Sequence, residues 1–137
     1  MQIALAAHSK NEAFARSTVC AFAAELDPTL EQISDIKTAV SEAVTNSIIH
    51  GYGRDAERIV YISVALYSGR IEICVRDEGV GIEDIDAAMQ PFFTTRPEEE
   101  RSGMGFTLMD SFMDELRVES SLNGGTKVFM VKRIEKC

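Results

Sequence analysis

Residues 58–81 read RIVYISVALYSGRIEICVRDEGVG, and no other stretch limits the available folds as much. Val60, Ile62, Val64 and Leu66 recur at every second position, as do Ile71, Ile73 and Val75 after Ser68-Gly69. A period of two places each set on one face of a strand. A Ser-Gly step between two such runs closes a tight hairpin, so the strands at 58–67 and 70–76 are expected to run antiparallel. A second hairpin is expected where LRVESS (116–121) and TKVFMVKR (126–133) flank Asn123-Gly124-Gly125. QIALAA (2–7) adds a short strand at the start.

The remaining periodic segments have helical spacing. KNEAFARSTVCAFAAEL (10–26) is rich in helix formers, Ser9 is the expected N-cap, and Pro28 ends the run. Ile33, Ile36, Val40, Val44 and Ile48 predict a helix over about 29–50 with one buried stripe, closed by His50-Gly51-Tyr52-Gly53. A short helix near 83–89, a mobile loop and a helix over 104–113 follow. Met104, Met109, Phe112 and Met113 on that last helix suit a core better than a contact surface. Strands joined by hairpins, with helices between them, predict an α+β two-layer sandwich: a mixed, mostly antiparallel sheet covered on one face by helices. With 137 residues, 45% of them apolar, one domain over 1–137 with a real core is expected.

Composition narrows the partners. The formal net charge of −8 disfavours direct binding to nucleic acid or to an anionic membrane, and it suits a basic protein partner. No basic leader or long apolar run is evident, so a cytoplasmic protein is expected. Cys20, Cys74 and Cys137 are odd in number and far apart, without metal-ligand spacing. Cys20 and Cys74 are expected as small core residues.

Three glycine clusters and one helix face carry the candidate chemistry. In DEGVG (77–81), Asp77 follows a strand directly. A plain turn accounts for this segment. So does a ligand site in which Gly79 and Gly81 admit a planar molecule and Asp77 accepts from its exocyclic amine. RSGMGFT (101–107) precedes a helix, so Gly103 and Gly105 can present backbone N–H groups to phosphates, with Arg101 at a terminal phosphate. A flexible lead-in to the helix is the alternative. The segment is neither a P-loop nor a dinucleotide fingerprint, because the spacings differ. NGGT (123–126) is a hairpin turn whose Thr126 can also point a hydroxyl at a base. In SEAVTNSIIHG (41–51), Glu42 and Asn46 fall roughly opposite the apolar stripe and one turn apart. A solvated face explains this pair, and so does a helix wedged between core and cleft. If the cleft holds a nucleoside triphosphate, an acidic chain needs a divalent cation there. Asn46 Oδ1 is a hard neutral ligand for Mg²⁺, and Glu42 stands where a base for an incoming hydroxyl is needed.

These four segments, in this order, resemble the N box and glycine boxes of the ATP-binding fold shared by gyrase, Hsp90, histidine kinases and MutL, the Bergerat-type fold. The runs ARSTVCAFAAELDPTLEQISDIKTAVSEAVTNSIIHGY and QPFFTTRPEEERSGMGFTLMDSFMDEL are similar to the anti-sigma F factor family, so the resemblance spans nearly the whole chain. The resemblance implies a dimeric serine protein kinase. Such a protein binds a sporulation sigma factor and uses ATP and Mg²⁺ to phosphorylate a serine of an anti-anti-sigma protein, leaving ADP. It implies Glu42 as catalytic base, Arg101 at the γ-phosphate and Asn46 as metal ligand. It implies Asp77 with Gly79, Gly81 and Thr126 at the adenine. His50, Thr95, Ser102, Gly103, Met104, Gly105 and Phe106 complete the nucleotide contacts, beneath a short lid at about 82–102. Arg16 is implied at a partner surface. Three rival readings stay open. One is an anti-sigma kinase of a stress-response system. Another is a nucleotide-gated binding module without catalysis, which Glu42 argues against. The third is the ATPase domain of a histidine kinase, which lacks support here because no phosphoacceptor helix is found.

Overall fold

The computed structural model describes residues 1–82, 85, 89 and 105–134. In chain order the elements are β1 (Gln2–Ala6), α1 (Ser9–Ala23) with a 3₁₀ turn Ala24–Leu26, α2 (Leu30–Asn46) with a π turn Ser47–Gly51, β2 (Ile59–Tyr67), β3 (Arg70–Asp77), α3 (Gly105–Phe112), β4 (Glu115–Ser121) and β5 (Gly125–Arg133). The five strands form one sheet in the order β1-β2-β3-β5-β4, and every ladder among the described residues is antiparallel. The helix near 83–89 and most of the loop over 82–102 lie outside the described residues.

Register explains why one face is buried. Leu5 pairs with Val60 and Ile3 with Ile62. Ile62 pairs with Val75 and Val64 with Ile73. Ile73 and Val75 pair with Met130 and Val128, which pair in turn with Leu116 and Val118. Successive side chains alternate between faces, so these residues line a single apolar surface. Helices cover it through Val19 and Ala23 of α1, Ile36, Val40 and Val44 of α2, and Met109 of α3, all buried. Full burial of a side chain such as Ile36, Ile62, Ile71 or Ile73 contributes about 2 kcal/mol each. α2 packs against both α1 and α3 and is the central helix of its layer.

The element ends are set by local chemistry. α2 opens with a capping box: Thr29 Oγ1 accepts from Gln32 N–H at 3.1 Å, and Gln32 Oε1 accepts from Thr29 N–H at 2.8 Å. α1 is capped by His8, whose Nδ1 accepts from Lys10 N–H at 3.1 Å; the expected cap, Ser9, is the first helical residue instead. α1 gives way to the 3₁₀ turn, and Asp27 then adopts left-handed backbone just before Pro28. Cys20 is half-buried on α1. Cys74, expected in the core, lies on the other face of the sheet, because it shares the parity of Ser63 and Phe129, its paired neighbours. On that face arginines stack on aromatic rings: Arg76 on Tyr61 at 4.1 Å, Arg70 on Tyr67 at 4.2 Å and Arg117 on Phe129 at 4.7 Å.

Candidate functional site

At one end of the sheet the apolar face turns polar. The row Val75, Val128, Val118 is followed two residues on by Asp77, Thr126 and Ser120. Asp77 pairs with Thr126 across the β3–β5 ladder, and Thr126 with Ser120 across β5–β4. Period two therefore sends all three side chains to the helix-covered side, at its rim. Asp77 is only 4% exposed, which is unusual for a carboxylate. Its Oδ1 accepts from Gly79 N–H at 2.9 Å. The hydroxyl of Ser47 and the backbone N–H of Thr126 also donate to the carboxylate. Burial pushes the Asp77 carboxyl above its ordinary value, against these hydrogen bonds and the positive charge of Arg58.

Ser47 reaches Asp77 because α2 changes pitch there. From Ser47 to Gly51 the chain makes a π turn, with Tyr52 N–H bonded to Ser47 O at 3.0 Å. The wider turn carries Ser47, Ile48, Ile49 and Gly51 into the interior. Gly51 lies against the Asp77 carboxylate, and its carbonyl accepts from Val80 N–H at 3.0 Å. A Cβ on Gly79 would stand 2.0 Å from that carbonyl oxygen. On its far side, the segment 77–82 meets the β4–β5 hairpin. Val80 O accepts from Asn123 N–H at 2.7 Å. Gly81, with φ of +78°, has its α-carbon against Ser121 O, where a Cβ would approach to 2.0 Å. The glycines thus let the Asp77 segment pass between the end of α2 and the last hairpin.

Tyr52 fastens the near side. Its hydroxyl donates to Ile59 O at 2.6 Å and accepts from Glu78 N–H at 2.6 Å. Arg58 lies over the Tyr52 ring at 4.7 Å and donates to Glu78 O at 2.7 Å. Burial pushes the Tyr52 phenol above its ordinary value.

Among the predicted residues, the fold brings Asp77, Gly79, Gly81 and Thr126 together at the sheet end. Asn46, the last residue of α2, adjoins the Ser47 that binds Asp77. Glu42 lies one turn earlier on α2 and His50 within the π turn; all three of Glu42, Asn46 and His50 are half-buried. α2 therefore presents Glu42 and Asn46 on neither its most buried nor a fully open side. Gly105 is buried at the start of α3, and Phe106 packs on the core. Thr95, Arg101, Ser102, Gly103 and Met104 lie outside the described residues. Arg16, on α1, is ion-paired to Glu12 at 2.9 Å, and that carboxylate also accepts from the Ser41 hydroxyl, which ties α1 to the residue before Glu42. Sequence reading missed Ser47, Tyr52 and Ser120. They are single polar residues with no periodic signature, and only their partners reveal them.

Among the described residues no group of three His, Cys, Asp or Glu could hold a metal ion. The donors present suit a cation that shares its coordination with a ligand. Asn46 offers one neutral oxygen, which fits Mg²⁺ carried on phosphates. No helix among the described residues is long and apolar enough to cross a membrane.

Comparison with known proteins gives the family and the fold. The histidine kinase-like ATPase domain family matches residues 5–132. The anti-sigma F factor of Geobacillus thermodenitrificans is 59% identical over 136 residues, covering 99% of this chain and 93% of that protein. That of Clostridium novyi is 55% identical over 135 residues, covering 98% and 94%. The crystal structure of the RsbU and RsbW domains of a Mycobacterium tuberculosis protein superposes with a TM-score of 0.69 at 22% identity. It covers 98% of this chain and 31% of that one, a likeness of fold.

Proposed function

Because the chain belongs to the histidine kinase-like ATPase family, and within it to the anti-sigma F factors, we propose that it binds a sporulation sigma factor in the cytoplasm and transfers phosphate from ATP to a serine of an anti-anti-sigma protein. The observation that supports nucleotide binding most is Asp77. A buried carboxylate is costly to a fold even with hydrogen-bond donors around it, and an amino-substituted base gives it a use. Gly79, Gly81 and Thr126 border the same place, and Asn46 is one residue from Ser47, a direct partner of Asp77.

Each residue has a distinct task in this reading. Asp77 and Thr126 take the adenine edge. Asn46 holds Mg²⁺, which supplies charge neutralisation on the phosphates. Gly103 and Gly105, with Thr95, Ser102, Met104, Phe106 and His50, bound the phosphates and ribose. Glu42 accepts the proton of the incoming serine hydroxyl as its oxygen bonds to the γ-phosphorus. The bond from that phosphorus to the β,γ-bridging oxygen breaks, and ADP leaves. Arg101 offsets charge on the transferring group. Arg16 serves the partner surface, and the working form is a homodimer.

The test is direct. Purified chain, γ-labelled ATP, Mg²⁺ and an anti-anti-sigma protein are combined, and phosphoserine is sought by mass spectrometry. Label on serine, dependent on both metal and chain, is the expected result. Nucleotide binding without transfer under any condition would leave a binding module in its place.

A further inference from the structure

The hydroxyl of Ser120 stands where three backbone segments meet. It accepts from Ile82 N–H at 2.7 Å, donates to the carbonyl oxygen of Gly125 at 2.9 Å, and lies 2.8 Å from the hydroxyl of Thr126. A serine hydroxyl has one proton and two lone pairs. Partner chemistry assigns the hydrogens. The Gly125 carbonyl can only accept, so it takes the Ser120 proton. Ile82 N–H occupies one Ser120 lone pair. The contact with Thr126 is then a hydrogen bond only if Thr126 donates into the other. Ser120 is saturated, and Thr126 has committed its only proton to it. Thr126 has lone pairs alone to offer any further partner, and its side chain is half-buried at the rim of the sheet.

Thr126 lies directly opposite Asp77 in the β3–β5 register, with both side chains on the helix-covered side. Side chains paired in this way have Cβ atoms about 5 Å apart. A single amino nitrogen that donates both of its hydrogens at about 2.9 Å each needs two acceptors at roughly that separation. We propose that Ser120 is a positioning residue for base selection: it turns the Thr126 proton away from the ligand, so that Asp77 and Thr126 form an acceptor-only pair that takes a purine with a 6-amino group and refuses one with a 6-keto group. A keto oxygen at that place meets lone pairs from both sides. The inference rests on the reading of this site as nucleotide-binding.

The test is equilibrium binding of the full chain to ATP and to inosine triphosphate, which differ at purine position 6. Wild type is expected to prefer ATP. Ser120→Ala releases the Thr126 hydroxyl to rotate, and the ATP-to-inosine ratio should fall about three- to tenfold, the effect of one hydrogen bond. Ser120→Thr keeps a hydroxyl and should restore the ratio. In a Thr126→Val background, Ser120→Ala should leave the ratio unchanged, because no proton remains to be oriented. A role limited to bracing Ile82 and Gly125 would lower both affinities together and leave the ratio alone, and that result overturns the proposal. So does an equal change of ratio with and without the Thr126 hydroxyl. If Ser120→Ala does not fold, Thr126→Val by itself decides: a ratio equal to wild type overturns the proposal. Wild type that binds neither triphosphate removes the nucleotide reading and this inference with it. Wild type that binds ATP while the ratio resists every substitution removes the inference alone.

Discussion

Gly51 and Gly79 touch backbone to backbone. The Gly51 carbonyl oxygen occupies the space where a Gly79 side chain would begin, 2.0 Å from the ideal Cβ position, and it accepts the neighbouring Val80 N–H at 3.0 Å. The contact joins the end of the central helix to the segment that follows Asp77, so it sets how far the Asp77 carboxylate stands from α2. Gly79→Ala must push the two backbones apart. We expect a loss of about 1–3 kcal/mol in urea unfolding, with a lower midpoint at unchanged slope, together with weaker nucleotide binding. Wild-type stability in this variant would show that the contact yields freely.

Asp77 makes the stability of the ligand-free protein depend on pH. Burial holds its carboxyl above the ordinary value of 3.8, so the folded chain keeps this proton more tightly than the unfolded one. Its contribution is full below the unfolded value and is lost as pH rises through the elevated folded value. Asp77→Asn removes the titration. The stability of wild type relative to this variant should therefore be lower at a pH well above 3.8 than at one below it. Urea unfolding of both proteins at the two pH values measures it, and a relative stability that rises with pH contradicts the sign. The same variant should lose ATP affinity, because the amide presents a donor to the amino group.

Glu42 is tested by separating transfer from binding. Glu42→Gln keeps size and hydrogen bonding but cannot take a proton. Serine phosphorylation should slow by about 10²–10⁴-fold, while ATP affinity stays at the wild-type value. Transfer at the wild-type rate would remove Glu42 from the chemistry.

Lys132 locks the far end of α3. Its Nζ donates to Phe112 O, at the end of α3, at 2.6 Å and to Asp35 Oδ2 on α2 at 3.0 Å, with the lysine and aspartate side chains 13% and 18% exposed. Lys132→Met removes a partner of the α3 terminus and strands a mostly buried carboxylate. We expect a loss of about 1–3 kcal/mol. Adding Asp35→Asn should recover part of it, since that charge then needs no partner. Strictly additive losses in a double-mutant cycle would mean that the two side chains act independently.

Much of the fold was legible because it rests on short-range rules. The alternation over 58–76 placed β2 and β3 within a residue of their observed ends, and the stripe from Ile33 to Ile48 marked the buried side of α2 and its π turn, with Ile33 only partly buried. Both patterns repeat often enough to be recognised without knowing what they face. Ser9 was misjudged as a cap because His8, one residue earlier, offers a ring nitrogen to the same helix end. Cys74 was misjudged although its parity was legible: period two puts it with Arg70, Glu72 and Arg76, opposite Ile71, Ile73 and Val75, and pairing with Ser63 and Phe129 bears that out.

The sequence by itself determined the hairpins, the helical stripe and the order of the glycine clusters, since each depends on neighbours along the chain. Tertiary structure alone decided that the π turn delivers Ser47 to Asp77, that Gly51 lies on Gly79, and that the hydroxyls of Ser120 and Thr126 meet. Those contacts join residues that lie up to 30 positions apart. Hydrogen bonds and close approaches between such residues have no spacing to betray them until the layers have packed.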